Sequence, residues 1–203
     1  NTPESGEFEL EEPEFQYADF SEWQEEWLSG PAAERQLAYW ADQLRGELPS
    51  SGLPTDRRPS GQPQPRGAAL HEAAVPGDVL ERLNRLCRET DSTLYTTMLA
   101  AFQIVLGRYT GGEDILVGTP VANRNRREFE DTVGLFVNTL VIRSDLSDDP
   151  RFRDHLKRLR DTVADAQDHQ DLPFERIVEH LNPERTTDRA PLFDVVFGFQ
   201  DEA

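Results

Sequence analysis

Residues Thr93 to Tyr109 constrain the fold most. Leu94, Met98, Leu99, Phe102, Val105 and Leu106 put apolar side chains on several faces of one helical stretch. A surface helix keeps a polar side, and a membrane span needs about 20 apolar residues. This run fits neither, so it is read as a buried central helix that other elements must cover. The flanking sequence supplies them. Ala68–Val75, Ile115–Ala122, Phe136–Arg143 and the alternating Phe193, Val195, Phe197 and Phe199 read as strands. Phe152, Leu156, Leu159, Val163 and Ala166 step by fours and threes along an amphipathic helix. Val79, Leu83, Leu86 and Cys87 mark another, opened by Pro76-Gly77-Asp78. Phe15, Phe20, Trp23 and Trp27 recur at near-helical spacing up to Gly30-Pro31, and a further helix runs from about Ala32 to Leu48 with Leu37, Trp40 and Leu44 on one stripe. Pro173 opens a short helix to about Leu181. The mixture predicts an α/β domain with helices packed on one side of a sheet.

Charge is unevenly placed on this frame. Residues 1–30 hold ten acids and no base, more than half of a formal net charge of −18 over 203 residues. Residues 1–13 are rich in Glu, Pro, Ser and Gly and read as an acidic linker or disordered segment, ahead of a domain over 14–203. Residues 49–67, rich in Pro, Ser, Gly and Arg, read as a long irregular connection. So acidic a chain is a poor nucleic-acid binder, because phosphates must be neutralised by basic side chains. No stretch suits a membrane helix, and no signal peptide is visible, so the expected location is cytoplasmic. Cys87 is the only cysteine, which excludes an internal disulfide or a cysteine-rich metal site. The chain opens on Asn1, and its one methionine is Met98. Asn1 therefore reads as a cut in a longer protein.

The common catalytic signatures are missing: no phosphate-binding glycine loop, no dinucleotide fingerprint, no HExxH and no GxSxG. His71, His155, His169 and His180 are scattered. His169 between Asp168 and Asp171 imitates a metal or acid–base cluster, but its spacing fits a helix end meeting a turn, and no metal site is expected. Cys87 lies on the apolar stripe of its helix and reads as a core thiol. Arg124, Arg126 and Arg127 form a basic knot beside Glu128, Glu130 and Asp131.

An ordered series of segments says more. Tyr17-Ala18-Asp19-Phe20-Ser21-Glu22-Trp23-Gln24 resembles the Y-x-D-[FY]-A-x-W-Q segment of nonribosomal peptide synthetase condensation domains, with Ser21 where alanine is usual. Tyr39-Trp40 with Leu48-Pro49, and Leu53-Pro54-Thr55-Asp56-Arg57, are similar to that family's YW…L and LPTDRP runs. Val117–Arg124 resembles VGTPVAxR. Val133–Leu140, ending at Arg143, resembles IGFFVNTL…R, with Leu135 for the commoner phenylalanine. His169–Glu175 matches HQDxPFE, and Arg189–Phe193 resembles SRxPLF.

The resemblance implies one lobe of a chloramphenicol-acetyltransferase-like fold, a mixed sheet with helices on one side, and a partner lobe across a V-shaped cleft. It implies a reaction in which the amine of a carrier-bound acceptor attacks the thioester of a carrier-bound donor. No cofactor is expected to bind this chain directly; the phosphopantetheine arm belongs to the partner carrier protein. The family's catalytic HHxxxDG, from its first half, is absent, and every matched segment belongs to the second half. The chain is therefore expected to be the C-terminal lobe, without catalytic residues and inactive alone. By resemblance Asn138, Thr139, His169 and Gln170 are candidates for the substrate tunnel or cleft. Tyr17, Asp19, Trp23, Asn123, Arg124 and Arg143 are candidates for the lobe crossover and interface. Asn138 and Thr139 equally suit backbone groups at a strand kink, and Arg143 equally suits surface pairing. Expected partners are the N-terminal lobe and peptidyl carrier proteins, and an isolated lobe should self-associate through its uncovered apolar side. A non-catalytic interaction module, or part of an epimerisation domain, are the alternatives.

Overall fold

Thr93 caps the central helix by accepting a hydrogen bond from the Thr96 amide, and Gly111 ends it in a left-handed conformation. In the computed structural model, which describes residues 13–49, 52–53, 68–183 and 191–200, this helix is α4, Leu94–Thr110. Before it come α1 (Tyr17–Leu28), α2 (Pro31–Gln43) and α3 (Gly77–Thr90), and after it α5 (Phe152–Asp168) and α6 (Phe174–Leu181). The strands are β1 (Asp114–Val121) and β2 (Asn138–Asp145), and a 3₁₀ turn spans Arg127–Phe129. Pro31 occupies the first turn of α2, where its missing N–H costs nothing. Pro173 instead stands just outside α6, as its cap.

β1 and β2 pair antiparallel, from Asp114 opposite Asp145 to Val121 opposite Asn138. The mixed sheet expected from the sequence is thus a small antiparallel pair, beside which a single isolated parallel bridge joins Gly118 to Val196. The predicted strand at Phe193–Phe199 reduces to that bridge. Phe193 turns aside to lie against Gly118, where an added Cβ would meet its ring at 2.5 Å.

α4 and α5 pack on the face that carries Leu140, Ile142 and Ser144. The Gln103 amide there donates to the Ile142 carbonyl and its oxygen accepts from Ser144. Leu99, Leu156 and Leu159 are fully enclosed. Arg143 points the opposite way by the pleat and meets the end of α2. Cys87 is buried against the Thr97 hydroxyl, as a core thiol should be.

One predicted strand is absent. Residues 68–75 carry no regular secondary structure and are exposed, with Leu70 86 % accessible. Leu70 and Val75 are five residues apart, so a strand would send them to opposite faces, and the alanines between offer little to bury. The acidic segment 1–12, most of the 49–67 connection and Arg189-Ala190 lie outside the described residues. Among the described residues no helix is long and apolar enough to cross a membrane.

Candidate functional site

Because Val121 faces Asn138, the loop leaving β1 and the segment entering β2 meet at one end of the sheet. The turn between α5 and α6 reaches the same end, and α1 packs over the loop through a second aromatic cluster of Phe20, Phe129 and Phe136, flanked by Phe15 and Trp23. Most of the residues singled out from sequence gather here.

Asn138 is buried and its amide is fully engaged. Its Nδ2 donates to the carbonyls of Gln170 and Leu172, both at 2.8 Å. Its Oδ1 accepts from the amides of Thr139 at 2.8 Å and Phe174 at 3.0 Å. Four bonds use the whole capacity of the group. The last satisfies the first N–H of α6, since Pro173 has no side-chain acceptor to offer. Thr139 is half-buried on the opposite side of the strand. His169 ends α5. Its ring stacks on Tyr39 at 3.9 Å, Nδ1 lies 2.7 Å from the Asp165 carbonyl, and its own carbonyl accepts from the Trp40 indole at 2.9 Å. Burial, with lesser help from Asp165 and Asp168, pushes the Tyr39 phenol well above its ordinary pKa.

The crossover candidates serve α1 and the loop. The Asp19 carboxylate accepts from the Gln16 amide at 2.7 Å, closing the first turn of α1. The Tyr17 ring covers Gly134 so closely that a Cβ there has no room, and its hydroxyl donates to the Leu135 carbonyl at 2.9 Å. The Arg126 guanidinium lies 4.0 Å over the Trp23 ring. It also pairs with Glu128, whose carboxyl is held below its usual range first by a backbone hydrogen bond and then by this arginine. Asn123 takes a left-handed conformation, φ 52°, which its short amide tolerates, and turns the chain out of β1. Arg124 Nη1 donates to the carbonyls of Phe129, Glu130 and Thr132 at 2.7, 3.1 and 2.9 Å, and its guanidinium rests on Phe136.

Arg143 lies at the other end of the sheet. It forks onto Asp114 with contacts of 3.0 and 2.7 Å and donates to the carbonyls of Gln43, Arg45 and Glu47. The Asp114 hydrogen bond is the main reason its pKa rises. These contacts close α2 onto the sheet within the lobe.

Three residues at the Val121–Asn138 end were given no role from the sequence. Asp171 accepts from Asn125 Nδ2 at 3.0 Å and from Gln36 Nε2 at 3.3 Å. Gln36 Oε1 in turn accepts from the Leu172 amide at 2.9 Å. Asp171 stood inside a quoted motif; Gln36 and Asn125 carried no signal, because nothing in their spacing ties α2 or the loop to residue 171. Beside this frame the chain presents an apolar row. Val133, Leu135 and Val137 are 87, 75 and 59 % accessible, while Phe136 between them is buried.

A small antiparallel sheet with α4 and α5 on one face, and a structured loop and turn meeting at one end, defines a lobe of the chloramphenicol-acetyltransferase-like fold, as its solved neighbours show. The profile of the Condensation domain matches residues 4–202, and the chain belongs to the condensation-domain family, as its C-terminal lobe. It is 49 % identical over 193 residues to one of the linear gramicidin synthase proteins of Brevibacillus parabrevis, covering 95 % of this chain and 4 % of that protein. Among solved structures, the SgcC5 protein of Streptomyces globisporus matches with a TM-score of 0.77 and 36 % identity, over 85 % of this chain and 38 % of that one. The X-domain in its complex with OxyB from teicoplanin biosynthesis matches with a TM-score of 0.83 and 28 % identity, over 93 % of this chain and 42 % of that one. The chain thus spans a small part of its curated relative and about two-fifths of these solved chains.

Proposed function

We propose that this chain forms the C-terminal wall of a condensation site, in which a carrier-bound amine is joined to a carrier-bound acyl group. The amine nitrogen attacks the thioester carbonyl, the C–S bond breaks, and the thiol leaves on the donor's phosphopantetheine arm. The amine proton passes to a base supplied by the N-terminal lobe, and the amide remains on the acceptor carrier. The observation that carries this reading is the match to a gramicidin synthase along nearly the whole chain. The reaction takes place in the cytoplasm on peptidyl carrier proteins.

The residues divide by what they touch. The exposed Val133–Leu135–Val137 row and the half-buried Thr139 are the tunnel-wall and lobe-facing surface. Asn138, His169 and Gln170 hold that wall from behind through the bonds described above. Tyr17, Asp19, Trp23, Asn123 and Arg124 fix α1 as the crossover helix and the loop leaving β1 as the loop crossing toward the other lobe. Arg143 braces the sheet from its far end. The chain contributes no catalytic acid or base; its part is to hold two tethered reactants in line, which is worth several kcal/mol of the barrier. An isolated lobe with this row uncovered self-associates.

The test joins this chain to its N-terminal half and measures amide formation between two loaded carrier proteins by mass spectrometry. Product should appear with the joined domain and vanish both with this chain alone and on replacing the upstream histidine. Product from this chain alone would sink the reading. Likeness to an X-domain solved with a partner protein supports a second reading, a docking platform without chemistry. Binding of a protein partner by a joined domain that makes no amide would favour it.

A further inference from the structure

We infer that Asp171 is a positioning residue for the crossing loop, tying it through Asn125 to the α5–α6 turn and through Gln36 to α2. The inference rests on the condensation reading for its consequence, though not for its geometry. Asp171 divides its two oxygens between two neutral amides on different elements, Oδ1 accepting from Asn125 and Oδ2 from Gln36. No cation is bonded to it among the described residues. Arg124 and Arg126 line the same shallow crevice, but one is turned onto loop carbonyls and the other onto Trp23 and Glu128. The carboxylate therefore works as a two-sided acceptor.

Its anchorage is rigid on one side. Gln36 cannot turn its amide over, because its oxygen already accepts from the Leu172 amide. Asn138 fixes the same turn through the carbonyls of Gln170 and Leu172. The Asn125 contact thus ties the loop leaving Asn123 to a fixed frame at the α5–α6 turn, beside the contacts that hold the loop to α1. That loop continues to the row at Val133–Val137, so its placement sets the wall against which the reactants are held. A small displacement of such a wall lowers turnover without removing any reacting group.

The donor and acceptor roles predict a pattern that general loss of packing does not. Asp171→Ala removes both bonds. Asp171→Asn keeps both, because Asn125 is free to rotate its amide and accept. Asn125→Asp sets two carboxylates about 3 Å apart, so one must take up a proton. Asn125→Asp with Asp171→Asn restores one donor facing one acceptor.

The experiment uses the complete condensation domain, with amide formation between loaded carrier proteins measured from pH 6 to 8.5, and hydrogen exchange of residues 122–130 measured in parallel. Asp171→Ala should lower turnover about tenfold or more and speed exchange in the loop, while Asp171→Asn stays near wild type. Asn125→Asp should lose more at pH 8.5 than at pH 6, and the double variant should recover both activity and protection. The inference is overturned if the Asn125→Asp profile parallels wild type and the double variant does no better than Asn125→Asp, or if Asp171→Ala leaves loop exchange unchanged. A wild-type domain that makes no amide defeats the condensation reading alone; the exchange pattern then still decides the role of Asp171.

Discussion

Replacing Asn138 with alanine should cost far more than an ordinary polar substitution. The side chain makes four hydrogen bonds, to Gln170, Leu172, Thr139 and Phe174. The bond to Leu172 is fully buried, so water cannot replace it and its loss costs about 2 kcal/mol. The other three are partly buried, and each contributes roughly 0.5–1 kcal/mol net. The expected loss is about 4 kcal/mol. With a urea slope of about 2 kcal/mol/M, the unfolding midpoint should fall by about 2 M, followed by tryptophan fluorescence or circular dichroism. Asn138→Asp separates the donor role from the acceptor role. It keeps the acceptor for Thr139 and Phe174 but sets its second oxygen against two carbonyls. Its carboxyl pKa is thereby raised in the folded state above the unfolded value. Relative to alanine, the aspartate variant is therefore best below the unfolded carboxyl pKa of about 3.9 and loses that advantage as pH rises through the folded pKa. A loss under 1 kcal/mol for the alanine variant would refute the claim that this amide holds the turn.

Three further outcomes follow from single contacts. His155 is buried with its Nε2 unbonded, and its pKa is lowered by burial first and by Arg158 second, against a hydrogen bond with the Ala100 backbone. The folded chain thus prefers the neutral ring, so stability should be full above about pH 6.5 and fall as pH drops through the lower folded pKa. His155→Leu should flatten that fall in pH-dependent thermal melts; an unchanged slope would count against it. Gly118→Ala should destabilise the chain by about 2 kcal/mol through overpacking on Phe193, with partial rescue by Phe193→Leu in denaturant titrations. Arg143→Ala should cost about 1–2 kcal/mol, reduced by partial exposure, and Arg143→Lys should recover less than half of it, since an ammonium cannot fork onto Asp114 while reaching the α2 carbonyls.

Much of the fold was legible along the chain. The helix over Leu94–Thr110, the amphipathic α5 and the strand β1 fell within a residue or so of the expected runs, and β2 begins two residues later than expected, because each carries apolar surface that a neighbour must cover. The strand at 68–75 failed for the same reason, since its alanines define no such surface. The C-terminal strand was visible as alternation, but only Val196 bridges, because Phe193 fills the space left by Gly118 instead of continuing the pattern. The candidate site was legible as motifs and not as roles.

By itself the sequence determined the element types, the family and the neighbourhood of the site, since these rest on local spacing and on runs of matching residues. Only the tertiary structure decided which polar groups are engaged. Asn138 and Gln170 are 32 residues apart, and Asp171 and Asn125 are 46. Hydrogen bonds between such positions depend on where two elements finally lie, and no periodicity records that. The same packing turned Arg143 inward onto Asp114 and the end of α2, where the sequence alone left open a partner across the lobes.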